Sequence, residues 1–167
     1  MNPQRQKVLD ALERLQIPYR LEEHPAVYTI EEIEREEGLQ GKESIVKNLF
    51  LRNAKGNQHY LVLLRGEKNA DLKALQQQIG SSRLSFGSPQ RLMDQLGVTP
   101  GSVSPMGLLN NADHALMVLI DEELCQMGEL GVHPNENTAT LFLQYSDLLR
   151  FLQFCRNPVQ IVPIVAR

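Results

Sequence analysis

Three stretches of the 167-residue chain gather side chains that could act on an ester or a phosphate. The first is "SIVKNLFLR", Ser44 to Arg52. Side chains alternate between faces along a strand, so Lys47 shares a face with Ile45, Leu49 and Leu51, and Asn48 points to the other. A lysine there has two uses. Its stem can cover apolar surface while the amine reaches water. Alternatively it lines a cleft, where an ammonium can hold a phosphate or polarise an ester carbonyl. The second stretch is "PGSVSPMG". Gly101 permits backbone conformations closed to other residues and Pro105 fixes a bend. The N–H groups between them are either those of a surface turn or donors that converge on an oxygen. The third is "VHPNENTAT", in which His133 leads a dense polar run that includes Asn137 and Thr138. Histidine exchanges protons near neutral pH and can orient a water or a hydroxyl. The same Asn and Thr residues also suit a turn that satisfies its own backbone.

Other chemistries lack their residues. There is no GxSxG, no P-loop and no GxGxxG, so neither a serine nucleophile of that type nor a nucleotide cofactor is indicated. Cys125 and Cys155 form no CxxC pair and have no adjacent histidine, which fits a reducing cytosol. His24, His59, His114 and His133 show no metal-binding spacing, and no metal or other cofactor is expected.

The elements that must position these residues follow from periodicity and punctuation. Residues 3 to 15 carry a helical stripe of Val8, Leu9, Leu12 and Leu15, with Pro3 in the first turn. A short strand is expected in "IPYRLEEHP". Thr29 and Glu32 have the spacing of a capping box opening a helix that stops at Gly38. Ser44–Arg52 and His59–Leu64 should pair as a hairpin across "NAKGN". Asn69 or Asp71 caps a short helix ending near Gly80, "RLSF" is a short strand, and Ser88-Pro89 opens a helix to about Leu96. "GVTPGSVSPMGLLNN" is a loop. "HALMVLID" and "TATLFLQY" are buried strands, Ser146 caps a helix to about Cys155, and "VQIVPI" adds a last strand. Mixed strands and helices with a hairpin predict an α+β fold, not a regular βαβ array. No repeat or linker divides the chain, so residues 1–167 are expected to form one domain.

Composition, at 42% apolar and 22% charged, is that of a soluble globular chain. Its longest aliphatic run, "ALMVLI", is too short to span a bilayer, and the N-terminus lacks the apolar core of a signal peptide, so no membrane partner and a cytoplasmic location are expected. Net charge is −3, but unevenly spread. Between Lys42 and Arg91 there are nine basic residues and three acids, Glu43, Glu67 and Asp71. That basic middle is either ordinary solvated charge or a local footprint for phosphates.

Taken in order, "IVKNLFLR", "RLSFGSPQRLMDQLGVTPGSVSPMGL" and "VHPNENTATLFL" resemble the YbaK/prolyl-tRNA-synthetase-associated domain family, in its free-standing PrdX-like branch. The likeness runs from about Pro18 to Phe154. It implies a mixed, curved, barrel-like sheet flanked by helices. It implies hydrolysis of the ester of a mischarged tRNA(Pro), in this branch Ala-tRNA(Pro), by a protein acting in trans alongside prolyl-tRNA synthetase. On this resemblance Lys47, Gly101 and His133 carry the catalysis. Asn48, Ser102, Val103, Ser104, Pro105, Asn137 and Thr138 bind the substrate, and Arg83 contacts the tRNA acceptor stem. Three other readings stay open: a binding module that holds aminoacyl-tRNA without cleaving it, a deacylase for another small aminoacyl-tRNA such as Cys-tRNA(Pro), and a protein-interaction domain with no small-molecule site.

Overall fold

The computed structural model describes residues 2–27, 32, 35 and 41–167. Apart from Glu32 and Arg35, the helix expected from Thr29 to Gly38 lies outside them. Helix α1, Pro3–Arg14, is capped by Asn2, whose side chain accepts the Gln4 N–H at 2.8 Å. Strand β1, Arg20–Glu23, follows. The hairpin forms from β2, Val46–Arg52, and β3, His59–Arg65, with Lys47 opposite Leu64 and Arg52 opposite His59. Asp71, not Asn69, caps α2, Leu72–Ile79, and Gly80 closes it in the left-handed conformation (φ 68°) that glycine adopts without strain. Strand β4, Ser85–Phe86, leads to α3, Pro89–Leu96, whose cap is Ser88. Next come β5, Met117–Asp121, β6, Glu129–Val132, β7, Ala139–Gln144, α4, Tyr145–Cys155, and β8, Val159–Val162.

The strands form two sheets. One has the order β1-β7-β6 and is antiparallel throughout. The other has the order β4-β2-β3-β5-β8, antiparallel from β4 to β3 and parallel from β3 to β8. The α+β class stands, but the sheets do not close into a barrel. Among the described residues a parallel bridge, Ile45 to Gly131, joins them. Gly131 has no side chain because none fits: a Cβ there would lie 2.8 Å from Phe142 Cε1 and 3.1 Å from Ile45 Cγ1.

Alternation along β2 and β3 feeds two cores. Val46, Phe50, Leu61 and Leu63 pack with Leu130, Val132, Leu141 and Leu143 of the smaller sheet, and α1 and α4 cover this core with Val8, Leu12, Leu148 and Phe151. Leu51, Val62 and Leu64 face the other way, onto Leu75 of α2 and Val162 of β8, with Leu49 at the margin. Strands buried on both faces explain the unbroken apolar runs of β3 and β5. Ile45 does not join Leu49 and Leu51 as alternation suggests. It precedes β2, at the end of a 3-10 turn, and packs with Val27 and Phe142 at the seam between the sheets.

Two expectations need correction. "GVTPGSVSPMGLLNN" is more ordered than a loop: 3-10 turns at Pro100–Ser102 and Pro105–Asn110 bury Met106 and Leu108 in the main core. Helix α4 is flanked on its N-terminal side by Gln144 with no side-chain cap, so Ser146 lies inside the helix.

Candidate functional site

The seam brings the first and third stretches into register. Lys47 and His133 each lie two residues beyond the Ile45–Gly131 bridge, on chains running parallel. The second stretch is locked to the third. Ser104 is fully buried, and its hydroxyl donates to the His133 carbonyl at 2.5 Å while accepting the Met106 N–H at 3.1 Å. In the Gly101–Pro105 turn, the Ser102 N–H is already bound to the Thr99 carbonyl at 2.9 Å, and Pro105 has none. No hydrogen bond among the described residues engages the N–H groups of Val103 and Ser104, which with that of Gly101 are the turn's candidate donors to an incoming oxygen. Val103 is half-buried, and Ser102 and Pro105 are buried.

His133 is half-buried, and its Nδ1 lies 3.3 Å from the Ala139 carbonyl. A carbonyl only accepts, so Nδ1 carries the hydrogen and Nε2 keeps its lone pair in the neutral ring. Burial, aided by the nearby His24 ring, holds the imidazole below its ordinary value of 6.5, against the opposing pull of the Ala139 carbonyl. His24 is itself fixed: Nδ1 donates to the Pro25 carbonyl and Nε2 accepts from the buried Thr140 hydroxyl, both at 2.8 Å.

Lys47 behaves in part as a lysine at a strand end. Its ammonium donates to the Lys68 carbonyl at 3.0 Å and to Asn69 Oδ1 at 3.1 Å, in the β3–α2 connection. No bond from it to the 101–105 turn or to His133 is present among the described residues. Asn48 turns to the opposite face, where its Nδ2 donates to the Val46 carbonyl at 3.3 Å and its Oδ1 is buried without a partner. The Asn137 carbonyl accepts the Val27 N–H; the Thr138 carbonyl accepts the His24 N–H, and the Thr138 hydroxyl donates to Glu136 Oε1. Arg83 does not join the cluster. It is exposed beside β4, which pairs with the Leu51–Arg52 end of β2, away from Lys47.

Sequence reasoning missed Arg5 and Glu136. Arg5 of α1 is buried and grips Glu136 through two bonds, Nε to Oε2 at 2.9 Å and Nη2 to Oε1 at 3.0 Å, with Nη1 on Glu23 at 2.6 Å. Burial would raise the Glu136 carboxyl; the hydrogen bonds from Arg5 and Thr138 more than reverse this and hold it below its ordinary value. The ion pair fixes the loop that follows His133. A signal for it exists: Arg5 occupies the apolar stripe of α1, three and four residues before Val8 and Leu9. Asn135, in the same loop, is buried in the left-handed conformation (φ 61°), and neither atom of its amide has a hydrogen-bond partner.

No cysteine has the setting of a nucleophile. Burial pushes the Cys155 thiol up to about 12, and Cys125 is exposed with its Sγ 3.1 Å from the Tyr145 hydroxyl. A cleft of about 610 Å³ lined by Arg65, Glu123 and Cys125 contains none of the three stretches. No helix among the described residues is long and apolar enough to cross a membrane.

The turn is tied through Ser104 to the His133 carbonyl, and the Ile45–Gly131 bridge joins the His133 strand to that of Lys47, so the three stretches meet along one seam. Residues 24–151 match the family model of the aminoacyl-tRNA editing domain, and the chain belongs to that family. It is an aminoacyl-tRNA deacylase, and this is the family to which the three motifs point. The prolyl-tRNA editing protein ProX of Acetoanaerobium sticklandii is 44% identical to it over 160 residues, 96% of this chain and 97% of that one. The prolyl-tRNA synthetase associated domain-containing protein 1 of Danio rerio is 32% identical over 152 residues, 89% of this chain and 81% of that one. A crystal structure described as a candidate trans-editing enzyme for prolyl tRNA synthetase shares the fold, with a TM-score of 0.76 at 24% identity, covering 100% of this chain and 99% of that one.

Proposed function

We propose that this protein hydrolyses the ester of mischarged tRNA(Pro), with Ala-tRNA(Pro) as its substrate, in trans beside prolyl-tRNA synthetase. The observation that carries the reading is the Ser104–His133 lock beside Lys47. The Ser104 bond ties the 101–105 turn to the His133 backbone, and the Ile45–Gly131 bridge sets Lys47 and His133 in register, which supports a role for all three in one site. The likeness to a prolyl-tRNA editing protein over nearly both whole chains supports the choice of tRNA.

The physics gives such an enzyme its purpose. A synthetase site that accepts proline cannot strongly reject the smaller alanine, because a missing methylene is worth only about 1–3 kcal/mol. A second site too small for the proline ring removes what slips through. The aminoacyl ester is already activated, so placing a water and stabilising a developing oxyanion suffice without a covalent nucleophile. In this mechanism the N–H groups of Gly101, Val103 and Ser104 receive the ester carbonyl oxygen. Lys47 swings from the Asn69 side chain toward the terminal phosphate or that carbonyl. Nε2 of His133 holds the attacking water. The water oxygen bonds to the acyl carbon, the bond from that carbon to the ribose oxygen breaks, and the water's proton ends on the ribose hydroxyl. Free alanine and tRNA leave.

The test is a panel of Ala-, Cys- and Pro-tRNA(Pro), radiolabelled in the amino acid, incubated with substoichiometric wild-type protein and with Lys47→Ala. Label should be lost from Ala-tRNA(Pro), and Lys47→Ala should lose about 10²-fold or more in rate with its fold intact by circular dichroism. Protection of the ester by wild type would make the protein a carrier, preference for Cys-tRNA(Pro) would overturn the substrate, and wild-type turnover in Lys47→Ala would overturn the role of the lysine.

A further inference from the structure

Lys68 belongs to the basic middle of the chain, yet it is not surface charge. Its side chain is 8% exposed, and its ammonium donates to Asp121 Oδ2 at 2.7 Å and to Glu123 Oε1 at 2.8 Å. Asp121 closes β5, and its side chain is 1% exposed. The other oxygen of Asp121 accepts the Ile164 N–H at 3.3 Å and the Glu123 N–H at 3.4 Å. Taking two charges out of water offsets most of their attraction, and apolar residues of the same size often stabilise a fold as well. Stability alone does not call for this pair.

The register of the large sheet shows what the pair spans. Lys47 of β2 lies opposite Leu64 of β3, and Leu63 lies opposite Ile120 of β5. One step further along these parallel strands, Leu64 and Asp121 come level. Lys47, Leu64 and Asp121 therefore form one row on the face that carries Leu51, Leu119 and α2, with two strand spacings, about 10 Å, between its ends. Lys68 reaches both ends of the row. Its ammonium goes to Asp121, and its carbonyl accepts the Lys47 ammonium at 3.0 Å. The residues after it are tied by their backbones. The Asn69 carbonyl accepts the Arg167 N–H and the Asp71 N–H donates to the Val165 carbonyl, both at 2.8 Å, around an Ala70–Ala166 bridge. Lys68 precedes that stretch, and its own N–H bonds to Arg65, at the end of β3 from which the connection leaves. Among the described residues, what anchors Lys68 beyond its own connection is the ammonium's grip on Asp121 and Glu123.

We propose that Lys68 is a positioning residue for the ester hydrolysis: anchored on Asp121, it holds its carbonyl as the fixed partner from which the Lys47 ammonium is aimed at the substrate. The proposal rests on the role given to Lys47 above. As Lys47 leaves the Asn69 side chain, the Lys68 carbonyl is the contact it keeps, so the ammonium turns about one point and does not wander.

The experiment is a mutant cycle. Wild type, Asp121→Asn and Lys68→Met/Asp121→Asn are prepared with and without Lys47→Ala. Asp121→Asn keeps an oxygen for the Ile164 and Glu123 N–H groups. Adding Lys68→Met leaves no buried charge unpaired, because Glu123 stays paired with Arg65 at 2.8 Å. In single-turnover deacylation of Ala-tRNA(Pro), well below the urea midpoint of each variant, Lys68→Met/Asp121→Asn should lose about tenfold in rate. Asp121→Asn, which keeps the Lys68–Glu123 pair, should lose about threefold, and it carries the same cycle if the double variant does not fold. In the Lys47→Ala background neither change should cost anything more, since a residue that acts through Lys47 has nothing left to act on. A second readout needs no substrate. In carbon-13 spectra of the lysine Cε groups, a held Lys47 gives two distinct Hε shifts, and these should merge in Lys68→Met/Asp121→Asn and draw together in Asp121→Asn. Losses that multiply with that of Lys47→Ala, or Lys47 shifts that stay apart in both variants, would overturn the positioning role. Merged shifts in a protein whose wild type leaves the ester intact would uphold the hold of Lys68 on Lys47 and overturn the proposed function instead.

Discussion

Lys47 has carbonyl and amide oxygens for partners and no carboxylate among the described residues. An ammonium held this way keeps its charge available to an incoming phosphate or carbonyl, and exchanging two neutral acceptors for a charged one is favourable. On the proposed mechanism His133 sets the pH range. Because burial keeps its ring below 6.5, the imidazole stays neutral as the pH falls through that value, and only at lower pH does Nε2 take the proton that blocks its bond to water. The enzyme-catalysed rate, corrected for spontaneous ester hydrolysis, should therefore hold at pH 6.5 and drop below it. His133→Gln should lower the plateau about 10²-fold and abolish that acid limb, as measured by single-turnover deacylation across pH. The sign for stability is the same. The unfolded chain protonates His133 at higher pH than the folded one, so its contribution is present above 6.5 and lost as the pH falls through the folded value.

Elements supply what the residues need, and α1 supplies more than apolar surface. Removing Arg5 leaves the Glu136 carboxylate buried and unpaired, so Arg5→Ala should cost about 3–5 kcal/mol in urea denaturation, and Arg5→Ala/Glu136→Gln should recover much of it. A loss under about 1 kcal/mol would mean the pair behaves as a surface one. What could be read of these elements from sequence follows their locality. The hairpin, α2 and α3 announce themselves through alternation, caps and closing glycines within a few residues. Strand β6 does not, because it is four residues long and contains Gly131, whose reason is a distant Phe142 ring. Alternation gave the direction of Lys47, but its bonds to Lys68 and Asn69 depend on where the next connection folds. Arg5 and Glu136 are 131 positions apart, and their pairing has no local signature. The motif resemblance brought Lys47, Ser104 and His133 into one hypothesis; the seam sets Lys47 and His133 in register and the Ser104 bond ties in the turn, while Arg83, expected at the acceptor stem, lies beside β4 at the other end of β2.

In the whole molecule, β2, β3 and β5 are common to both cores, so neither core can be lost alone. Leu75 is fully buried in the second core, and Leu75→Ala should cost about 2–5 kcal/mol. That loss should appear as one transition with coincident far-ultraviolet and tyrosine signals; two transitions would show the cores to be independent. The Ile45–Gly131 bridge has a further consequence, for a chain still being made. Lys47 emerges early, but the strand it must meet lies more than eighty residues later, and the carbonyl that sets the His133 ring belongs to Ala139. Until that part of the chain has left the ribosome the protein carries the lysine without its partners across the bridge, so on the proposed mechanism a nascent fragment would be unable to strip the aminoacyl-tRNAs on which its own synthesis depends.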